Sequence, residues 1–134
     1  MLDTDVFSFF CSRDPRRALP YRHHVEGHTL VVSFITIGEQ YAGYLKQVLK
    51  GAWTAAHLAR LETHLGGVAT VPYDLEICRT YGNLRAALAQ AQRTVATNDL
   101  WIAACAIRHA LPLVTNNRKH FAAISGLTIV SEAP

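Results

Sequence analysis

Acidic residues stand at three points of the sequence where a strand should end or a helix should begin. Asp3 lies in a short apolar opening segment, Glu39 in the first turn of a helix expected from position 36, and Asp99 in the first turn of a later helix. The chain has ten Asp and Glu residues, so each position carries information. Carboxylates that gather in space repel one another unless a cation lies between them. Oxygen ligands without His or Cys neighbours favour Mg²⁺ or Mn²⁺ over zinc, so the pattern favours a divalent-metal site if the fold brings these acids together.

The acids differ in how easily a purely structural role explains them. The segment from Thr36 to Glu39 fits a capping box, in which Glu39 would bond a backbone N–H at the start of its helix. Asp99 could be a favourable charge at a helix N-terminus. Asp3 has no comparable explanation, because a carboxylate inside an apolar first strand has a free-energy cost that nothing local offsets. Convergence in space is what would separate one site from independent caps.

Strands and helices alternate along the sequence and must position these acids. Apolar, β-branched runs predict strands, and amphipathic segments bounded by Asp, Pro, Asn and Gly predict helices. Strands are expected at 1–7, 30–34, 68–71, 112–115 and 127–130, and helices at 14–20, 36–50, 52–65, 75–92, 97–111 and 120–124. The alternation predicts a three-layer α/β domain with a central, mainly parallel sheet of about four to five short strands flanked by helices.

A parallel sheet brings distant acids to one edge. The connecting helices run opposite to the strands, so helix N-termini lie at the same edge as strand C-termini, where such sheets bind ligands. Asp3, Glu39 and Asp99 should therefore meet, together with Asn117, which follows the fourth expected strand.

Length and composition limit the class of protein. With 134 residues, 50% hydrophobic and 17% charged, the chain is expected to form one domain over residues 1–134 rather than a disordered tail. No apolar run approaches the roughly 20 residues of a membrane span, and no cationic start followed by an apolar stretch marks a secretory signal, so a soluble, cytoplasmic protein is expected. The net charge of +3 permits a nucleic-acid partner without requiring one. Cys11, Cys78 and Cys105 are expected to be reduced, buried thiols.

Four segments in register resemble the PIN-domain ribonucleases, and more closely the VapC-type toxins of bacterial toxin–antitoxin pairs. That family opens with L-D-T-N and an apolar residue, continues with S-x-x-T-x-x-E and N-D-x-x-I-A-A, and ends with L-V-T-x-N/D, a short turn and Phe. The matching segments are 2–6 (LDTDV), 33–39 (SFITIGE), 98–104 (NDLWIAA) and 113–121 (LVTNNRKHF). Their order and spacing agree over essentially the whole chain, which implies a PIN-like fold.

The resemblance implies a metal-dependent endoribonuclease that acts as a toxin. Carried over residue by residue, it makes Asp3, Glu39 and Asp99 the catalytic and metal-binding acids, with Asn117 as a fourth metal position. The implied cofactor is Mg²⁺ or Mn²⁺, and the implied reaction is hydrolysis of an RNA phosphodiester. A carboxylate would accept the proton of the attacking water, and the choice among Glu39, Asp99 and Asp5 stays open.

Supporting residues and departures from the family pattern complete the expected site. Thr4 and Thr115 would orient water or backbone near the acids. Asp5 stands where the family has Asn, so it either adds a fourth carboxylate or keeps the hydrogen-bonding role of that Asn. Asn117 is neutral where some relatives carry an acid, and His120 replaces a frequent Asp. Binding of one metal or of two therefore stays open.

A basic segment is the candidate surface for substrate. It contains Arg13, Arg16, Arg17, Tyr21, Arg22, His23 and His24. The arginines at 13, 16 and 17 would hold RNA phosphates around the acidic pocket, and Tyr21 would stack on a base. A solvated helix face is the alternative interpretation of the same charges.

An apolar stripe is the candidate surface for a protein partner. It is formed by Tyr41, Tyr44, Leu45 and Val48, facing a helix with Trp53 and Leu61. The stripe is either ordinary core or a groove that receives a partner's helix. The resemblance adds that relatives are inhibited by a cognate antitoxin, whose C-terminal segment binds there, and that they commonly form homodimers.

Two other functions stay open from the sequence. A non-catalytic PIN scaffold that binds RNA or a partner would keep the fold without using the acids, and a lack of metal-dependent stabilisation would favour it. A phosphatase of the haloacid-dehalogenase type would use Asp3 as nucleophile and Asp5 as acid or base. That family also needs a late Lys with a paired acidic motif, whereas Lys119 is the one Lys in the last third of this chain and Asp99 stands alone.

Overall fold

The computed structural model describes residues 1–12 and 15–132, and its elements follow the expected alternation. The helices are α1 (Thr4–Cys11), α2 (Pro15–Ala18), α3 (Arg22–Val25), α4 (Phe34–Leu49), α5 (Ala55–Gly66), α6 (Leu75–Gln90), α7 (Thr97–Arg108) and α8 (Arg118–Phe121), with a 3₁₀ turn at Leu19–Tyr21. The strands are β1 (Val31–Ser33), β2 (Ala69–Val71), β3 (Leu113–Val114) and β4 (Ile129–Val130). None of the helices among these residues has both the length and the apolar character that a bilayer crossing requires.

The strands form a parallel sheet with Leu2 at its centre. β1 pairs with β2 and β3 pairs with β4, both in parallel. Leu2 bridges Val32 on one side and Val114 on the other, again in parallel. The resulting order is β2–β1–Leu2–β3–β4, which confirms the predicted parallel sheet.

The expected first strand at 1–7 is wrong beyond its second residue. Asp3 accepts a hydrogen bond from the backbone N–H of Val6 and starts α1, so the chain turns into helix directly after Leu2. Val6 and Phe7 are still buried, from a helix face instead of a strand. Apolar residues in a short segment can be buried from a strand or from a helix, so hydrophobicity alone did not distinguish the two conformations here.

Two apolar clusters lie on opposite faces of the sheet. Neighbouring residues along each strand alternate between them: Leu113 joins one cluster and Val114 the other. The first cluster is completed by α6, α7 and α8, and the second by α1, α4 and α5. Helix α7 is the most buried helix, with Ala103, Ala104 and Cys105 fully enclosed. The layers are therefore helix, sheet and helix, as predicted.

Several boundaries differ from the expected ones in ways that affect the site. Helix α4 begins at Phe34 instead of position 36, because the Ser33 hydroxyl accepts from the backbone N–H of Thr36 at 3.1 Å and caps it. The helix stops before Gly51, whose positive φ of 69° suits glycine. All the cysteines are free thiols, but only Cys105 is buried; Cys11 and Cys78 are half-buried.

Candidate active site

Elements of the sheet and the helices end together at the C-terminal edge of the strands. Asp3 follows the bridging residue Leu2, Ser33 ends β1, and Thr115 directly follows β3. Asp3 and Ser33 are the N-caps of α1 and α4, so these helices begin at that edge. Polar side chains from distant parts of the chain meet where strand C-termini and helix N-termini coincide.

Asp3 lies at the centre of this edge, 4% exposed. Its Oδ1 accepts from the Val6 backbone N–H at 2.8 Å, and its Oδ2 accepts from the Thr115 hydroxyl. Burial raises the pKa of the carboxyl to about 6, the charges of Asp5 and Asp99 also raise it, and both hydrogen bonds oppose the shift. The interpretation that Asp3 lacks a local structural role is wrong, because the residue caps a helix.

Glu39 is held from two sides by residues far away in sequence. The Thr4 hydroxyl donates to its Oε2, and the side-chain amide of Asn98 donates to its Oε1 at 2.6 Å. The capping-box explanation for this residue is wrong. Ser33 is the cap, Thr36 lies in the first turn, and Glu39 lies in the second turn of α4. Its carboxylate therefore serves contacts between elements instead of capping its own helix.

Asp99 is the third residue of α7 and is half-buried. Burial raises the pKa of its carboxyl, as do the charges of Glu39 and Asp5, while His120 opposes the shift. Nδ1 of His120 lies 3.1 Å from Asp99 Oδ2. The expectation that no His adjoins the acids is therefore wrong.

Asn117 and Thr115 follow β3 and connect the acids through backbone and side chain. The side-chain amide nitrogen of Asn117 lies 2.7 Å from His120 Nδ1, so this amide faces the imidazole. The backbone N–H of Asn117 donates to the Thr115 hydroxyl oxygen at 2.9 Å, and that hydroxyl donates to Asp3. Thr115 thus holds a carboxylate directly, as Thr4 does for Glu39.

The structure brings Asp3, Glu39 and Asp99 into one acidic site. Asp99 influences the pKa of Asp3, and Glu39 influences that of Asp99, so the charges lie within electrostatic range of one another. Their oxygens do not all approach within 4.8 Å of one another. Asp5 adds a fourth carboxylate, exposed on the first turn of α1. The acids are gathered from segments up to 96 positions apart in the sequence.

Two residues of this acidic site were not predicted as site residues. Asn98 orients Glu39, and His120 contacts Asp99. Asn98 opens the segment 98–104 that resembles the PIN-domain family, and His120 stands where that family frequently has Asp. Their contacts could not be predicted from the sequence, because they depend on how α7 packs near α4 and α8 near α7.

The donor set fits a hard divalent cation. Asp3, Asp5, Glu39 and Asp99 offer carboxylate oxygens, and the pKa of Asp3 is raised by burial and, less strongly, by the neighbouring charges of Asp5 and Asp99. Mg²⁺ and Mn²⁺ prefer carboxylate and amide oxygens. His120 adds a nitrogen at the margin of the set without changing this preference.

Part of the basic segment lies beside the acids: Arg17 lines the same surface as Thr4, Asp5 and Glu39, and we call the exposed arginines of this segment the basic patch. Arg16 and Arg17 are exposed on α2, and the Arg17 guanidinium lies 5.4 Å from the centre of the Phe9 ring. Arg13 lies outside the described residues. The expectation that Tyr21 stacks on a base is wrong, because the residue is 2% exposed and its hydroxyl contacts Asn116 Oδ1 at 2.9 Å.

A groove of about 560 Å³ opens beside the acids, between α1, α4 and α5. Its lining includes Thr4, Asp5, Phe9, Glu39, Tyr44 and Trp53. The apolar stripe predicted on α4 divides: Tyr44 lines the groove, whereas Tyr41, Leu45 and Val48 are exposed outside it. We call this surface the apolar groove.

Comparisons with known proteins agree with this architecture. The family model described as the PIN domain matches residues 1–127. Ribonuclease VapC2 of Haemophilus influenzae is 29% identical over 127 residues, which cover 95% of this chain and 92% of that protein. Ribonuclease VapC5 of Mycobacterium tuberculosis is 38% identical over 104 residues, 75% of this chain and 73% of the other. The tRNA(fMet)-specific endonuclease VapC of Shigella flexneri is 28% identical over 127 residues, which cover 95% of this chain and 92% of that protein.

Solved structures give the same result. The DNA-bound VapBC of Salmonella typhimurium matches with a TM-score of 0.84 and 28% identity, covering 98% of this chain and 96% of that chain. VapBC-5 of Mycobacterium tuberculosis, from a family of toxin–antitoxin systems, matches with a TM-score of 0.59 and 32% identity over 74% and 79%.

Proposed function

Because this chain belongs to the PIN-domain family, we propose that it is a divalent-metal-dependent endoribonuclease and the toxin of a toxin–antitoxin pair. Its relatives are named ribonucleases, and one is named for cleavage of tRNA(fMet). One observation carries the proposal: Asp3, Glu39 and Asp99 come from three distant segments and interact electrostatically at one edge of the sheet. A protein that only binds RNA gains nothing from such mutual repulsion.

The acidic site would hold Mg²⁺ or Mn²⁺ through Asp3, Glu39 and Asp99, with Asn117 as the fourth position. When bound, such a cation lowers the pKa of a coordinated water and offsets charge on the scissile phosphate. The chain would hold the carboxylate ligands in a fixed orientation. Asp3 is held by Thr115, so its carboxylate has little freedom to turn away.

Asp5 is the proposed acceptor of the water's proton. Both oxygens of Glu39 are engaged, by Thr4 and by Asn98, and Asp99 faces His120. Asp5 is exposed at the mouth of the apolar groove and accepts no hydrogen bond from the part of the chain that the structure describes. A general base needs an accessible oxygen within reach of the water. Among the four carboxylates, Asp5 meets this requirement best.

The substrate would be a single-stranded or unpaired region of RNA, positioned by the basic patch. Arg13, Arg16 and Arg17 would hold phosphates, since backbone contacts of this kind supply most non-specific affinity for nucleic acid. We propose that the protein acts on RNA in the cytoplasm. We further propose that residues 1–134 form a single nuclease domain, since helices on both faces share one sheet.

The apolar groove is the proposed binding site of the antitoxin. It offers aromatic side chains for an apolar helix face, and it continues into the acidic site through Thr4, Asp5 and Glu39. A segment lying there would cover the acids. A homodimer is the proposed assembly of the free protein. The phosphatase alternative is dropped, because the matched family is the PIN domain.

Cleavage of total RNA by the purified protein tests the proposal. We expect cleavage with Mg²⁺ or Mn²⁺ and none with chelator. Asp3→Asn and Asp99→Asn should each lower the rate by about 100-fold or more, because each removes a charge while keeping size. Asp3→Asn should fold, since Asn is a good N-cap at position 3. Asp99→Asn should fold because Asp99 is only half-buried and is not the N-cap of α7. Glu62→Gln, an exposed acid on α5, is the matched control.

The opposite outcome has a clear meaning. Full cleavage by both Asn variants would remove Asp3 and Asp99 from the proposed catalytic site. No cleavage by the wild-type protein, together with no stabilisation by Mg²⁺ or Mn²⁺, would favour a PIN scaffold that binds RNA without cutting it. Circular dichroism of each variant separates loss of chemistry from loss of fold.

A further inference from the structure

A second group of metal-ligating side chains lies outside the acidic site. His23 and His24 belong to α3, and Glu132 follows β4. The Nε2 atoms of His23 and His24 lie 3.5 Å and 2.6 Å from Oε1 of Glu132. One ligand atom from each residue lies within 4.8 Å of the other two, a spacing that no other such group reaches among residues 1–12 and 15–132. We call this group the His–Glu cluster.

We propose that the His–Glu cluster binds one transition-metal ion of the Zn²⁺ class. Ligands about 2.1 Å from a tetrahedral zinc ion lie about 3.4 Å from one another. The separation of His23 Nε2 from the Glu132 oxygen matches this value, and the His24 contact needs to open by less than 1 Å. Two imidazoles and one carboxylate form a recognised zinc ligand set that leaves one position for water.

A simple ion pair accounts for the cluster less well. Glu132 can neutralise one imidazolium, but the rings of His23 and His24 have centroids only 3.8 Å apart, so a second imidazolium would be repelled by the first. A neutral imidazole with its proton on Nε2 can donate to Glu132, so one hydrogen bond explains the 2.6 Å contact of His24 but not why His23 Nε2 lies 3.5 Å from the same oxygen. A divalent ion satisfies all three groups at once.

The ligand chemistry separates this site from the acidic site. Imidazole nitrogens favour Zn²⁺, Ni²⁺ or Cu²⁺, whereas carboxylate and amide oxygens favour Mg²⁺ or Mn²⁺. Excess Mg²⁺ should therefore fill the acidic site without displacing zinc from the His–Glu cluster. The side chain of His23 is 64% exposed, that of Glu132 36% and that of His24 24%, so the ligands are open to an ion from solvent and His24 is the most shielded of them.

Metal at this position would join α3 to the segment that follows β4. Tyr21 directly precedes α3, is buried, and contacts Asn116, the neighbour of Thr115. The same region thus connects to the residues that hold Asp3. Because the ligands come from segments 108 positions apart, loading is expected to stabilise the folded chain.

Zn²⁺ titration in the presence of excess Mg²⁺ tests the proposal. Calorimetry of the full chain should give one Zn²⁺ per chain, and the melting temperature should rise by several degrees. Co²⁺ should give the visible absorption of a low-coordinate site. His24→Gln and Glu132→Gln should each weaken Zn²⁺ binding by about tenfold or more. His28→Gln, an exposed histidine of the same segment, and Asp99→Asn in the acidic site should leave it unchanged.

Three results would overturn the proposal. Zn²⁺ binding that survives both His24→Gln and Glu132→Gln would assign the ion elsewhere. Binding lost only in Asp99→Asn would assign it to the acidic site. Stabilisation that depends on pH but not on Zn²⁺ would make the cluster an ion pair. If His24→Gln fails to fold, Glu132→Gln decides, because it leaves α3 unchanged. None of these readouts depends on RNA cleavage, so the proposed function is tested separately.

Discussion

The acidic site and the apolar groove are neighbours that share Thr4, Asp5 and Glu39, yet they are built differently. In the acidic site, polar side chains are fixed by hydrogen bonds between distant segments, such as Thr115 to Asp3 across 112 positions. The groove is open, and Trp53 on its wall is 41% exposed. The difference fits the two tasks proposed for these regions. Chemistry depends on groups oriented before substrate arrives, whereas partner binding depends on apolar surface that is covered only in the complex.

The two regions also differ in their effect on stability. Tyr44 and Leu61 line the groove and belong to the core cluster, so they stabilise the fold. Asp3 is equally buried but carries charge in an apolar setting, which raises the pKa of its carboxyl. Active sites commonly trade stability for function in this way. Removing a charge from the acidic site should therefore raise the free energy of unfolding of the metal-free chain, whereas removing a buried aromatic ring from the groove should lower it.

The largest expected effect is on stability. Asp3→Asn should raise the free energy of unfolding of the metal-free protein by about 3 kcal/mol above pH 6, the value of a pKa raised by about two pH units. Burial raises the pKa of Asp3 from 3.8 to about 6, so the folded chain holds this proton more tightly than the unfolded chain. Stability conferred by the protonated carboxyl is fully present below about pH 4 and is lost as pH rises through 6.

Denaturant titration in chelator from pH 4 to pH 8 measures this effect. The difference between Asp3→Asn and wild type should grow across that range, while Glu62→Gln should show no such trend. Added Mg²⁺ should shrink the difference at pH 8, because the cation favours the ionised carboxylate. A gain of the same size at pH 4 and pH 8 would mean that the charge of Asp3 is not the cause.

The next effect concerns the groove. Trp53→Ala should weaken the complex with the co-expressed antitoxin by about 30-fold, which corresponds to about 2 kcal/mol for an aromatic anchor. Trp53 stacks on His57 at 5.2 Å and lies against Tyr44. RNA cleavage without antitoxin should be unchanged, because the ring packs on His57 and Tyr44 and the hydrogen bonds that hold the acids do not involve it. Titration calorimetry and a cleavage assay measure the two properties.

Tyr73→Ala is the matched control, since Tyr73 is 64% exposed and lies outside the groove lining. Unchanged affinity in Trp53→Ala would remove the groove as the antitoxin site. A loss of cleavage equal to the loss of affinity would mean that the groove and the acidic site are one functional surface, contrary to the distinction drawn between them.

A smaller effect is expected at the margin of the acidic site. His120→Ala should lower the cleavage rate by about tenfold, because Asp99 loses the imidazole at 3.1 Å that orients it. His120→Asn should recover part of the rate, since its amide can still donate to Asp99. A positioning role predicts a change in rate with little change in the affinity for RNA. Equal loss in both variants with weaker RNA binding would instead make His120 a substrate contact.

The fold was predictable to the extent that periodicity and alternation specify it. The parallel sheet, its flanking layers and the edge where Asp3, Glu39 and Asp99 meet all follow from strand and helix order. What the sequence did not specify was where a strand becomes a helix. Leu2, Val6 and Phe7 would be buried in either conformation, and the hydrogen bond from the Val6 backbone N–H to Asp3 marks the start of the helix.

The contacts within the acidic site were less predictable than its members. Thr4 and Thr115 were expected to orient water or backbone; the Thr115 hydroxyl does accept from the backbone N–H of Asn117, and both hydroxyls also donate to carboxylates. Asn98 and His120 gain their roles from the approach of α7 and α8 to neighbouring elements, a tertiary event with no local signature. Tyr21 was misassigned for the same reason, because an aromatic among arginines has the sequence of an exposed residue even when it is buried.

The smallest effect tests which region the basic patch serves. Neutralising Arg16 and Arg17 together, as Arg→Gln, should weaken RNA binding a few-fold and lower the slope of log affinity against log salt by about 1.4, the contribution of two phosphates on a single strand. Lys46→Gln with Lys50→Gln, an exposed pair on and just after α4, is the control of equal charge. Fluorescence anisotropy with a labelled single-stranded RNA at several salt concentrations measures both slopes. An unchanged slope in the arginine variant would mean that Arg16 and Arg17 do not contact RNA phosphates. Because Arg17 also lines the groove, weaker antitoxin binding with an unchanged slope would assign the patch to the partner surface instead.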